Sequence, residues 1–117
     1  MSRQHTMAWL VRDEEVLATV TVLSGWRSAI AGAWMPEASD SPVIVKPAFW
    51  AQSIASPFDA DVAFLNAEGV VVRTLRLPRN RVALPAFSAR AVLRAKKGAF
   101  GTWDVKIGDE MELRPCG

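Results

Sequence analysis

The sequence predicts a mainly β protein: a single compact β-sandwich or barrel-like domain of about seven or more short strands, with one or two short helices. Three observations carry this reading. Runs rich in β-branched residues recur along the chain, above all Val16 to Leu23. Glycine, proline, asparagine and aspartate punctuate those runs roughly every eight to twelve residues, the spacing of a sandwich or barrel. Finally, 117 residues, half of them hydrophobic and 22% charged, suit one globular domain spanning 1–117. A chain of this length buries roughly two-thirds of its unfolded surface and needs no metal or disulfide to fold.

The elements follow in order. Residues 1–6 read as a flexible tail. Ala8 to Arg12 reads as a short strand, with Asp13-Glu14 as the turn into Val16 to Leu23. That second strand has faces Val16, Ala18, Val20, Val22 and Leu17, Thr19, Thr21, Leu23. Trp26 to Trp34 is ambiguous, with one short helix after the Ser24-Gly25 break as an option. Val43-Ile44-Val45 is a strand bounded by Pro42 and Pro47, which argue against helix there. Asp61 to Leu65 and Val70 to Leu77 form a hairpin across Asn66-Ala67-Glu68-Gly69, where Gly69 can supply a positive φ. Ser88 to Lys97 is open: alanine and arginine favour helix, whereas its alternation, spoiled by Val92, favours strand. Ile107-Gly108-Asp109 makes a turn into a last strand, Glu110 to Arg114.

Charge is unevenly placed. Residues 1–69 hold four bases against eight acids, and residues 70–117 hold ten bases against four acids. From Arg73 to Lys97 there are eight bases and no acid: Arg73, Arg76, Arg79, Arg81, Arg90, Arg94, Lys96 and Lys97. Such a stretch can attract phosphates or an anionic surface, or can simply be solvated strand faces and turns. No run approaches about 18 uninterrupted apolar residues, so no membrane span is expected. Met7 to Val11 is too short an apolar core for a signal peptide, which makes the cytoplasm the expected compartment.

Catalytic equipment is sparse. His5, in the tail, is the only histidine, so a serine nucleophile would have only lysine for a base. The chain has no Gly-x-Ser-x-Gly, Ser-x-x-Lys, P-loop or dinucleotide fingerprint. Cys116 is the only cysteine and reads as an exposed free thiol. Asp59 and Asp61, two apart on a strand, would share a face and could hold a divalent cation or work as acid and base. No third ligand or glycine-containing loop accompanies them, so a turn or edge charge is the plainer role, and no metal or cofactor is expected.

The aromatic set is unusual: five tryptophans, five phenylalanines and no tyrosine. Phe64 and Trp103 read as core. Phe49-Trp50, and Trp26 and Trp34, either line a pocket for a ring or a sugar or serve as core or rim packing, and for Trp50 and Trp34 the choice is open. The candidate binding residues are therefore Arg27 and Trp50 as contact groups, Asp61 and Asp109 as turn-fixing acids, and Trp103 as packing.

From Asp61 onward a series of motifs keeps its order and spacing: Asp61-Val62-Ala63-Phe64-Leu65, Glu68-Gly69, Val71-Val72-Arg73, Pro78, Val92-Leu93-Arg94, Gly98-Ala99-Phe100, Trp103 and Gly108-Asp109. The series resembles the bacterial and archaeal family catalogued as domain of unknown function 192. The likeness covers about half the chain, with a looser match at Trp26 to Gly32. The family's His-Thr-x-x-Met-x-x-Pro-Ile-Asp run is replaced here by Gln52 to Asp61, and its acidic position after Leu93 is Arg94. The resemblance implies a compact, mostly β fold, strand at 88–97 and a helical turn over Ala99 to Trp103. It implies no reaction. Members' placement near pilus or secretion machinery implies an accessory role.

The leading expectation is thus a non-enzymatic accessory or binding domain for a protein partner or small ligand. Two alternatives stand beside it: a nucleic-acid or anionic-surface binder using the basic residues of 73–97, and a metal-dependent enzyme using Asp59 and Asp61.

Overall fold

The computed structural model describes residues 4–25, 42–53 and 59–116. Nine strands and one helix appear among them: β1 (Gln4–Arg12), β2 (Glu15–Ser24), β3 (Val43–Lys46), β4 (Ala51–Gln52), β5 (Ala60–Leu65), β6 (Val71–Leu77), β7 (Val82–Ala83), β8 (Ala91–Lys96), α1 (Ala99–Trp103) and β9 (Glu112–Pro115). Seven strands form one sheet in the order β6-β5-β8-β3-β2-β1-β9, and β4 pairs with β7 in a second, small sheet. The mainly β expectation holds.

Local chemistry explains most of the boundaries. The β1–β2 hairpin turns on Asp13 and Glu14, both at positive φ (51° and 67°), so the two-residue loop follows the strands' own twist. β1 is longer than expected, because Gln4, His5 and Thr6 pair with Ser24, Leu23 and Val22. The supposed tail therefore contributes residues 4–6 to the sheet; the long partner strand supplies backbone groups for them to bond. β2 and β3 run parallel, which requires a crossover. The run Trp26 to Trp34, with a short helix as one option, falls in 26–41, outside the described residues.

The β5–β6 hairpin sits where the sequence places it. Asn66 Oδ1 accepts from the backbone N–H groups of Glu68 and Val70, both at 3.0 Å, and Gly69 takes φ 81°. Just beyond it the sheet curls upon itself. Met111 N donates to Gly69 O, Val71 N to Asp109 O and Gly108 N to Val71 O, each at 2.8 Å. With the Val70–Glu110 bridge, these bonds tie β6, at one end of the strand order, to the segment leading into β9 at the other. The result is a barrel-like closure. It also moves the last strand: Met111 is held in the closure and buried, so regular pairing with β1 starts at Glu112 rather than Glu110.

Two apolar clusters result. The inner one gathers Leu10, Val20, Val22, Ile44, Ala63, Leu65, Val71 and Leu93 with Phe100 of α1. The outer one gathers Leu23, Val43, Val45, Val62, Phe64, Leu77 and Val92 beneath the layer carrying β4 and β7. β5 lies between them and is buried at every position, as expected of a strand covered on both faces. The same arrangement settles residues 88–97. Leu93 and Ala95 face inward while Val92 faces outward into the second cluster, so Val92 does not break the strand pattern. Phe64 is fully buried, and Trp103 is half-buried against the inner cluster.

Candidate functional site

The expected site residues divide between the two sides of the sheet. Asp61, Trp103 and Asp109 meet around α1 on the inner side. Asp61, with 4% of its surface exposed, accepts from Gly98 N (3.0 Å) and Phe100 N (3.1 Å) through Oδ2, and from Arg76 Nε (2.9 Å) through Oδ1. The helix has no side-chain cap of its own, so this strand residue satisfies the first-turn N–H groups that would otherwise be orphaned. At the other end, Asp109 Oδ2 accepts from Lys106 N (2.9 Å) and Arg12 Nη1 (3.0 Å), and the same Arg12 nitrogen donates to Asp104 O (2.9 Å). Trp103 lies beside Phe100, ring centroids 6.1 Å apart. The two acids are thus occupied in holding α1 in place.

Asp59 and Asp61 do not form a paired site. Asp59 precedes β5, and its Oδ1 accepts from Arg79 N at 3.1 Å, while the Asp61 oxygens are directed at α1 and Arg76. Among the described residues, no three His, Cys, Asp or Glu side chains gather closely enough to hold a metal ion.

The basic residues do not all share one face. Register places Arg76 on the inner face opposite Asp61, and Arg73, Arg94 and Lys96 on the outer face opposite Phe64, Val62 and Ala60. Arg94 is buried, donates to Gln52 O at 2.9 Å, and burial lowers its pKa. The Arg73 guanidinium lies 5.3 Å from the Phe64 ring centre and donates to Leu84 O. Arg81 reaches the carbonyl of Asn80. Arg79 and Arg81 flank the turn after β6, Arg90 precedes β8, and Lys97 lies between β8 and α1. Tracking a phosphate backbone needs a run of available cations along one groove, and this distribution does not supply one.

A different feature stands out on the outer layer. Pro47, Ala48, Phe49, Phe87, Ala89 and Arg90 line a pocket of 240 Å³. Ser53, fully buried, anchors this layer: its Oγ donates to the Pro78 carbonyl and accepts from Arg81 N at 2.9 Å. Ala48 N donates to Arg90 O (3.1 Å) and Ala86 N to Phe49 O (2.8 Å), so the two walls are tied together by backbone. The Phe49 and Phe87 rings stack with centroids 5.7 Å apart. Phe87 nevertheless keeps 78% of its surface exposed, and Leu84 and Val82 nearby in the chain keep 73% and 57%. Trp50 is half-buried beside this pocket in sequence, but Phe49 rather than Trp50 lines it. Arg27 lies outside the described residues. Sequence reasoning missed Phe87 and Arg90 as a pair. The available signal was a large apolar residue between Pro85 and Ser88, in a stretch with no strand period to bury it.

Comparison with known proteins gives a fold and no family. No family model matches the chain, and no curated protein does. Among solved structures, one similar fold is a proposed transcription regulator from Sinorhizobium meliloti 1021, with TM-score 0.71 and 12% identity over 97% of this chain and 96% of that one. Another is a protein of unknown function from Novosphingobium aromaticivorans DSM 12444, with TM-score 0.66 and 17% identity over 93% and 85% of the two chains. At such identities the likeness establishes the small β fold alone. No helix among the described residues is long and apolar enough to cross a membrane.

Proposed function

We propose that this protein is a non-enzymatic cytoplasmic accessory domain, a diverged member of the domain of unknown function 192 family, that docks a protein partner on its outer layer. The observation that carries the reading is Phe87: a phenylalanine stacked on Phe49 at the mouth of an apolar pocket, yet mostly open to water. A large apolar side chain left exposed beside a pocket is a feature of interaction sites. The acids that would serve chemistry are bonded to backbone and arginine around α1, which supports a scaffold role for them. The family assignment rests on the ordered motif series from Asp61 to Asp109; the strand at Ala91–Lys96 and the helix at Ala99–Trp103 are consistent with what that series implies.

The test is a pair of variants in a photo-crosslinking experiment in cells, with the crosslinker at residue 84. The reading expects a discrete adduct that disappears with Phe87→Asp and persists with Val16→Ser, an exposed apolar site elsewhere. An adduct indifferent to Phe87→Asp, or turnover of a substrate by the purified protein, would refute it.

A further inference from the structure

We infer that the occupant of the Phe49–Phe87 pocket is an acidic segment of a partner protein, one that inserts a single apolar side chain and sets a carboxylate on Arg90. This deepens the docking role proposed above and rests on it. Size is the first argument. A volume of 240 Å³ is below the roughly 300–1,000 Å³ of pockets that enclose whole small molecules, and matches one anchoring side chain set beside the stacked rings.

Charge is the second. Both walls come from chain segments without acids: residues 42–53 contain none, and none occurs between Glu68 and Asp104. The six ion pairs found among the described residues involve Arg12, Arg76, Lys106 and Arg114, and of these only Arg76 belongs to the basic stretch. Arg73, Arg81 and Arg90 have no acidic partner among the described residues, and Arg79 meets an acid only through its backbone N–H, at Asp59. Among the described residues these arginines thus carry charge that no side-chain ion pair compensates, and an acidic partner is their electrostatic complement.

Geometry is the third. Arg90 Nη1 donates to Phe87 O (3.1 Å) and Ala89 O (3.0 Å), which fixes the guanidinium plane at the pocket rim. Its Nε and Nη2 have no acceptor among the described residues, and that edge of the fork can receive a carboxylate in the two-bond arrangement arginine favours. Arg90 is the one charged residue in the lining among the described residues, so the anchor and the carboxylate must be close neighbours in the partner.

The experiment uses the full chain and three synthetic peptides of equal length, each with one central tryptophan, flanked by aspartates, serines or lysines, plus an oligothymidylate of matching charge. Binding is read by fluorescence polarisation. At low salt the aspartate peptide is expected to bind about tenfold tighter than the serine peptide, with the preference shrinking to about twofold at roughly 0.5 M salt. Arg90→Gln should abolish the preference while the tryptophan still binds, and Phe87→Ala should weaken all peptides. Equal binding of the aspartate and serine peptides, still lost in Phe87→Ala, would overturn the acidic occupant and leave the docking face standing. Binding of the oligothymidylate alone, or of nothing, would overturn both. Thermal melting of each variant separates these outcomes from misfolding.

Discussion

Removing the carboxylate of Asp61 tests the claim that a strand residue, rather than a local cap, holds α1. In Asp61→Ala the N–H groups of Gly98 and Phe100 lose their acceptor, and the second of these bonds is buried. An unsatisfied buried donor costs about 1–3 kcal/mol. The Arg76 pair adds little, because Arg76 is 49% exposed and such pairs contribute about 0.2–1 kcal/mol. Together these give about 1–4 kcal/mol for Asp61→Ala, and a smaller loss for Asp61→Asn, which keeps one acceptor oxygen. Arg76→Ala should cost less than about 1 kcal/mol. Urea unfolding followed by tryptophan fluorescence measures all three, and hydrogen exchange at Gly98 and Phe100 localises the effect. Should Arg76→Ala match Asp61→Ala, or Asp61→Asn be as damaging as alanine, the main role of Asp61 would not be to cap the helix backbone, and the reasoning would fail.

Four further outcomes follow from the same fold. Gly69→Ala would bring a Cβ to 2.4 Å from the Met111 carbonyl oxygen at a φ of +81°, so a loss of about 2–4 kcal/mol is expected by denaturant titration. Phe64→Ala empties the most deeply buried aromatic position of the outer cluster and should cost about 3–5 kcal/mol in the same assay. Arg12→Ala removes the donor shared by Asp109 and Asp104 O and is expected to cost about 1–3 kcal/mol, with an accompanying change in Trp103 fluorescence. Replacing Arg79 and Arg81 together by glutamine relieves like-charge repulsion. The melting temperature should hold or rise slightly at low salt, with the difference vanishing at high salt.

Much of the fold was legible because its signals are local. The Asp13-Glu14 turn, the Gly69 loop and the proline-bounded β3 each follow from residues that fix their own backbone. Residues 88–97 were not resolved by periodicity because period-two alternation assumes one wet face, and β8 has apolar clusters on both. The extra length of β1 was invisible for another reason: in Gln4-His5-Thr6 only Thr6 favours a strand, and the pairing with Val22, Leu23 and Ser24 creates the rest. The site was less legible than the fold. Asp61 and Asp109 stand out in sequence as acids in a motif, but the groups they bond lie 37 and 97 residues away, at Gly98 and Arg12. Phe87 carries no pattern at all, and its significance depends on Phe49 arriving from a distant segment.

The distribution of charge separates what the fold requires from what it does not. Acids around α1 and β9 are matched by Arg12, Lys106 and Arg114, and Asp61 is matched by Arg76. On the outer layer the arginines are held by carbonyl oxygens instead: Arg73 at Leu84, Arg81 at Asn80, and Arg90 at Phe87 and Ala89. Carbonyls orient a guanidinium without neutralising it. Folding alone gains nothing from concentrating like charges in one layer, since their mutual repulsion opposes the compact state. Nor does it gain from leaving Phe87 in water after stacking it on Phe49. An apolar group carrying negative charge would make both features favourable together, which is why the proposed docking site is placed on the outer layer rather than at the acids that hold α1.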